Sequence, residues 1–585
     1  MSSSVPAQTW RKFRWGGRQN IVPVVGVSFA LWLILIPLAT LIIFSFRLGS
    51  PWDPGGYTLE HYIDAYTNPQ TYSMFFNTAA LAVFSTVLSV AIAVFFAFLT
   101  ERTDMPFRNL AWGLMLVPMA IPGLLFAVSW TFLLSPRIGL FNIWLRGLFS
   151  LFGVEVTEGP LNIYSLWGMV LLEGLRGVTT IFLIIVGSFR AMDPNLEEAA
   201  RVSGASNRTT FFRVFIPLLT PAILAAGMYS FMTHLESLEI PLVIGLPANI
   251  HVFPSYIFYT TQRYTPPQYG LSASLGASFL LVSIFLVYCY RRVLGQAGRF
   301  ATITGKGYRP RIIRLGKWRY AAFFLLLLYF ILTIGAPSFA LFWSSILPVY
   351  LTPSWEVLPD LTLEHYREIF ADRENLDATI NTILVAVGAA TLTMVLSLII
   401  AWVIIRKRFK GKALLDGITF LPHSLPGVII AIAFIFLYVQ PPLNHLKLYG
   451  TIWIIMLGLT VGYLAFGSRT MIGALAQIHV EMEEAGQVSG AKWITLMRRI
   501  ILPLLLPAFI SGWIWVASHS LRNLSIPLML ASRESRVLSV IMWNTWEDGY
   551  PGQTSAWGVL LIVALAVLTV GGRWLVSRLS RQQEP

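Results

Sequence analysis

Twelve apolar runs, at roughly residues 21–46, 73–100, 110–134, 162–189, 214–236, 272–291, 320–347, 378–405, 414–439, 449–475, 500–520 and 556–577, are each long enough to cross about 30 Å of hydrocarbon as a helix. Inside hydrocarbon a backbone has to satisfy its own hydrogen bonds, and a helix does so within one segment. The expected fold class is therefore an all-α polytopic membrane protein of about 12 transmembrane helices, and an even count returns both termini to one side. Gly or Pro interrupts the fourth, ninth and tenth runs. Composition agrees: 56% of the 585 residues are apolar and only 12% are charged, outside the range of soluble domains.

Charge orients the spans. A net charge of +14 could suggest nucleic acid, but the basic residues sit in short connections between apolar runs, where the positive-inside rule places them. The first run follows Arg11, Lys12, Arg14 and Arg18 and lacks a small-residue cleavage site, so it reads as a retained span with a cytoplasmic N-terminus. In that orientation roughly thirty of the 42 basic residues face the cytoplasm. The outer segment 351–377 carries Glu356, Asp360, Glu364, Glu368, Asp372, Glu374 and Asp377 against only Arg367 and Arg373. The stretch 292–319 holds, with Arg291, nine basic residues and no acidic one, and reads as a topogenic segment lying against anionic headgroups. The single cysteine, Cys289, excludes an intramolecular disulfide and a cysteine-rich metal site.

The chain also repeats itself. TLEHY at 58–62 recurs at 362–366, Asn77-Thr78 recurs as Asn381-Thr382, and Pro118, Pro122 and Gly123 recur as Pro422, Pro426 and Gly427, all at an offset of 304. A charged island, EEAARVSGASNRTTFFRVFIP at 197–217, recurs as EEAGQVSGAKWITLMRRIILP at 483–503, now at an offset of 286, and Ile240-Pro241-Leu242 recurs as Ile526-Pro527-Leu528 at that offset. The first half thus carries 18 extra residues, placed in the outer loop 135–161 because loops absorb insertions more easily than spans do. Two parallel six-span domains are expected, 1–291 and 320–585, joined by the cytoplasmic linker 292–319. Their polar loops fall at about 190–215 and 476–501.

Each island reads as a short helix held between two spans. Residues 195–200 form helix well, with acidic residues in the first turn where the helix dipole favours them. Gly204 permits a backbone reversal, and Ser206 can cap the segment that enters the membrane at Pro217. Catalytic signatures are absent: no phosphate-binding loop, no His-Glu-x-x-His, no nucleophile elbow. Inside the fourth span, Glu173 and Arg176 lie three residues apart on one helix face, either as an internal pair or as a polar lining. At the outer end of the fifth span, His234, Glu236 and Glu239 correspond to Ser520, Arg522 and Ser525. His61 and His365, in the repeated TLEHY, read as packing residues at a helix start.

The islands resemble the signature of the membrane permeases of binding-protein-dependent, type I bacterial ABC importers: Glu-Ala-Ala, three residues, Gly, nine residues, Ile-x-Leu-Pro. The first island supplies Glu198, Ala199, Ala200, Gly204, Val214, Ile216 and Pro217. The second supplies Glu484, Ala485, Gly490, Ile500, Leu502 and Pro503, with Gly486 in place of the second alanine, a change that weakens helix propensity by about 1 kcal/mol. The resemblance implies that each island, with Glu197 and Glu483 at its head, is a coupling helix seated on one of two cytoplasmic ATPase subunits. It implies a periplasmic solute-binding protein above, ATP used by the partner subunits, no cofactor on this chain, and residence in the bacterial inner membrane with both termini cytoplasmic. In that family the ends of the fifth and eleventh spans approach the pore and outer gate. There His234, Glu236, Glu239 and Arg522 would line the path or outer gate, where carboxylates could hand on a hard cation, or else serve a plain interfacial role. No metal-ligand set is assigned. The fused halves and the TLEHY opening look most like the ferric-iron permeases. Thiamine, 2-aminoethylphosphonate and polyamines are the alternative cargoes. A secondary transporter of major-facilitator type is the remote alternative; its charged signature would lie between the second and third spans, where this chain has ERTDMPFRN.

Overall fold

The computed structural model describes residues 21–192, 199–200, 202–297, 312–407, 409–491 and 493–581. Among the described residues, ten helices are long and apolar enough to cross a bilayer: Ile21–Phe44, Pro69–Arg102, Leu166–Arg190, Phe211–Leu235, Tyr269–Val293, Trp318–Ser345, Arg373–Arg406, Ile452–Leu475, Ile494–Arg522 and Pro551–Gly572. Each matches one of the apolar runs. The two remaining runs, the third and the ninth, are bent pairs: Arg108–Ala120 with Gly123–Leu134 at 98°, and Lys412–Ser424 with Gly427–Val439 at 107°.

The bends have a local cause that repeats. Proline disfavours the helical region for the residue before it. Ile121 accordingly takes φ −82°, ψ 124° before Pro122, and Leu425 takes φ −106°, ψ 124° before Pro426. Each proline then becomes the N-cap of the next helix. The fourth and tenth runs, expected to be interrupted, are unbroken helices. Their glycines lie inside the helix, where Gly costs about 1 kcal/mol against Ala but does not end it. Sequence length alone missed a further bent pair, Pro241–Ala248 with Phe253–Gln262 at 73°, whose counterpart in the second half is Ser525–Leu530 with Leu538–Glu547.

The two halves exchange their first spans. Ile21–Phe44 packs on Gly427–Val439, with Phe44 stacked on Phe436 at 4.6 Å, and the seventh span packs on Gly123–Leu134. Tyr350, just beyond that seventh span, stacks on Phe132 at 4.5 Å and donates to its carbonyl at 2.9 Å. Both exchanged-onto helices, Gly123–Leu134 and Gly427–Val439, are buried almost throughout. Within each half the second and fourth spans pack along their length and the fifth closes on both, as the eighth, tenth and eleventh do in the other half.

The repeated motifs are fastenings at the end of the bundle opposite the islands, the end that the charge pattern predicts to be outer. His61 Nε2–H donates to the Arg47 carbonyl (2.9 Å) and His365 Nε2–H to the Leu347 carbonyl (2.9 Å), while Tyr62 and Tyr366 bond Ser45 and Ser345, each at 2.8 Å. These rings are the packing residues expected. Thr78 and Thr382 accept from the backbone N–H of Phe253 and Leu538, each at 2.8 Å, and so hold the start of the short outer helices. The 18-residue excess of the first half coincides with an added helix, Leu140–Leu151; the second half has only the short turn Leu443–Leu446 there. The one hairpin among the described residues pairs Arg47–Gly49 with Pro54–Tyr57.

Candidate functional site

The two islands are built by paired backbone bonds. In the first, the Ala205 N–H donates to the Ala200 carbonyl at 3.0 Å across Gly204, which has φ +80°. In the second, Ala491 donates to Gly486 at 3.0 Å across Gly490, at φ +81°. This six-to-one bond around a left-handed glycine closes a helix by the Schellman arrangement, so both glycines are required by backbone shape. Ser206 then accepts from the Thr209 N–H at 3.2 Å and starts the next helix. A π turn, Phe211–Phe215 or Met497–Ile501, precedes Pro217 and Pro503; the wider turn accommodates the missing proline N–H without breaking the span.

Of the residues expected on the coupling surface, Glu197 and Glu198 lie outside the described residues. Ala199, Glu484, Ala485, Gly204 and Gly490 are exposed and Ala200 is half-buried. Glu483 is not at the surface. Its carboxylate is buried, accepting from Arg406 Nε at 2.5 Å and Trp402 Nε1 at 3.2 Å, so it faces the chain's own interior. Sequence reasoning passed over Val202 and Val488, both 89% exposed at the tips of the islands. An apolar residue at matching places in two polar segments was the available signal.

The second group lies within the membrane-spanning part and is one-sided. Glu173 and Arg176, expected as an internal pair or a polar lining, each bond to the segment that ends the fifth span. Glu173 accepts from Ser237 and lies 3.5 Å from His234 Nδ1, whereas Arg176 donates to Glu239 at 3.2 Å. Three residues along a helix put the two side chains one above the other, but each finds a closer partner across the helix boundary. Glu236 makes no side-chain hydrogen bond or ion pair among the described residues. From the second half, Arg522 donates to the Met119 carbonyl at the first half's bend and to His519 Nε2; His519 Nδ1 lies 2.8 Å from the Trp515 carbonyl, which fixes the ring proton on Nδ1. Thus Glu173, Arg176, His234, Glu239 and Arg522 are brought to the seam between fifth-span end and bent span. Among the described residues no group of three or more His, Cys, Asp or Glu side chains is arranged to hold a metal ion.

The described residues thus form two pseudo-equivalent helical bundles with exchanged first spans and a matched pair of polar elbows. Residues 393–583 match the family described as binding-protein-dependent transport system inner membrane component. It is 25% identical over 505 residues, 86% of this chain and 70% of the other, to the ferric transport system permease protein FbpB of Actinobacillus pleuropneumoniae. It is 23% identical to the Fe(3+)-transport system permease protein FbpB 2 of Haemophilus influenzae, over 86% of this chain and 90% of that one. The spermidine/putrescine permease PotC of Haemophilus influenzae aligns at 25% identity over 35% of this chain and 78% of its own length. A solved bacterial alginate ABC transporter covers 44% of this chain and 94% of its own with a TM-score of 0.37 at 18% identity.

Proposed function

We propose that this chain supplies the whole membrane pore of an ATP-driven importer, with two cytoplasmic ATPase subunits beneath it, a periplasmic solute-binding protein above it, and ferric iron as its cargo. Residues 1–291 and 320–585 form the two permease domains, and both termini face the cytoplasm. The observation that supports the iron reading is that relatives aligned over 86% of the chain are ferric permeases. ATP is bound by the partners. Their closure draws the two islands together, the spans tilt, and the seam around Glu236, Glu239 and Arg522 opens toward the docked binding protein. Hydrolysis resets it. Along that path the half-buried carboxylate of Glu236, without a fixed partner among the described residues, is the group free to touch a passing cation.

Uptake of radiolabelled Fe(III) by cells carrying or lacking the gene tests the cargo. Lost uptake on deletion, restored by the intact chain, is expected; unchanged iron uptake with lost thiamine or polyamine uptake would reassign it. Glu198→Gln and Glu484→Gln test the coupling reading through ATPase subunits retained on purified membranes. Undiminished association and uptake would defeat it.

A further inference from the structure

The interior contact of Glu483 carries a second role for this part of the chain. Arg406 is the last residue of the eighth span, where a cation is favoured by the helix dipole. Its guanidinium reaches three places at once: Nε bonds the Glu483 carboxylate at 2.5 Å, and Nη2 bonds the Ile478 carbonyl at 2.8 Å and the Leu475 carbonyl at 3.5 Å. Leu475 closes the tenth span, and Glu483 lies in the first turn of the coupling helix Glu481–Val488. Both partners of the ion pair are nearly inaccessible, with side-chain exposures of 9% and 4%. The indole of Trp402, one turn back on the eighth span, fills the other carboxylate oxygen.

The first half repeats the staple independently. Arg102, 304 residues before Arg406, donates to the carbonyls of Phe189 (2.7 Å) and Met192 (3.4 Å). Those are the residues 286 before Leu475 and Ile478, so two different repeat offsets converge on one contact. Glu197 is the counterpart of Glu483 in sequence and lies outside the described residues. The position of Trp402 is Phe98 in the first half, which has no N–H to donate.

We infer that Glu483 is a positioning residue: through Arg406 it makes the second coupling helix one rigid body with the ends of the eighth and tenth spans. A helix of eight residues closed by glycine has little stiffness of its own. Movement imposed at the exposed Glu484, Ala485 and Val488 reaches the spans only if the helix cannot swivel, and a buried, carbonyl-backed ion pair prevents that. Removing one partner leaves the other as an uncompensated buried charge, so the link cannot weaken gradually.

The inference rests on the coupling reading, and two measurements separate their failures. In a Cys289→Ser background, spin labels at Val488→Cys and Lys410→Cys report the distance between coupling helix and eighth-span end. Glu483→Gln is expected to broaden a narrow distribution, while Glu484→Gln leaves it narrow; a distribution unchanged by Glu483→Gln overturns the anchor whatever the partners do. In proteoliposomes holding the full complex, Glu483→Gln is expected to retain the ATPase subunits and hydrolysis while Fe(III) taken up per ATP falls by about tenfold. Loss of subunit association equal to that of Glu484→Gln would mean that Glu483 is a docking contact, and would overturn the inference. Arg406→Lys, which keeps charge but cannot span three acceptors in a fork, is expected to lose coupling as Glu483→Gln does; full coupling in that variant would also overturn it.

Discussion

The Glu239 carboxylate lies directly over Gly123: a β-carbon added there would sit 1.8 Å from Oε2, and 2.7 Å from the Cζ and Nη1 atoms of Arg176. The glycine that opens the second limb of the bent third span is thus the floor beneath the Arg176–Glu239 ion pair. Its repeat, Gly427, meets Ser525 and Ile526 instead, with nearest approaches of 2.9 and 3.1 Å. Gly123→Ala is therefore expected to displace the ion pair, and Gly427→Ala to press only on a short side chain and an isoleucine. Overpacking of this kind costs about 1–3 kcal/mol. Thermal unfolding in detergent should fall for both variants, and labelled-substrate uptake should fall much further for Gly123→Ala. Equal uptake by the two would separate the ion pair from transport.

Thr78 and Thr382 each carry a hydrogen bond from the first turn of an outer short helix, to the N–H groups of Phe253 and Leu538. All four residues are buried. Thr382→Val keeps shape and removes the acceptor, leaving a buried N–H unsatisfied at a cost of about 1–3 kcal/mol. Lower midpoints in thermal unfolding are expected for Thr78→Val and Thr382→Val alike, and Thr→Ser should restore most of the loss. A neutral Thr→Val would show that water reaches the N–H.

Spans were legible because hydrocarbon thickness imposes a length, and a run such as 378–405 has no other economical reading. The bends were half legible. Pro118, Pro122 and Gly123 stood out as a repeat, but only the backbone of Ile121 shows that the residue before Pro122 is where the helix stops. The outer helices Phe253–Gln262 and Leu538–Glu547 are too short for any length criterion, and nothing in their composition marks them as holding the seam between halves. Charge pairing was the least legible. Glu173 and Arg176 share a helix face, so sequence spacing pairs them; the chain beyond the end of the fifth span, which supplies Ser237 and Glu239, offers better geometry. Likewise Glu483 and Glu484 are neighbours in one acidic motif, yet adjacent positions on a helix point about 100° apart, and one faces Arg406 while the other faces solvent.

Gly486, the departure from the first island's Ala200, has a packing reason. A β-carbon there would lie 2.9 Å from the δ-methyls of both Leu496 and Ile500. Those are chain ends that can turn aside, so the obstruction is mild. Gly486→Ala gains about 1 kcal/mol of helix propensity and loses a comparable amount to displaced methyl groups. Near-native uptake and unfolding temperature are expected, whereas Gly490→Ala, which forces a side chain onto φ +81°, should lower both. If Gly486→Ala were the more damaging of the two, close approach of the helix to the eleventh span would outweigh its closing turn.

Lys407, just past the end of the eighth span, offers a pH signature of the same region. Burial pushes its amine down to about 8 from the usual 10.5, and the neighbouring Glu483 carboxylate pulls the other way. Below about pH 8 the amine is charged in folded and unfolded chains alike, and the folded state bears the full desolvation cost. Between about 8 and 10.5 the unfolded chain holds the proton that the folded chain has released, so stability should rise with pH across that window and level off above it. Lys407→Met is expected to remove the rise. Competitive acylation of the intact protein, read at Lys407 by mass spectrometry, should show a midpoint near 8. Glu483→Gln, which deletes the carboxylate that favours the charged amine, should move that midpoint lower still. An upward movement would mean that Glu483 does not face Lys407 in the folded protein.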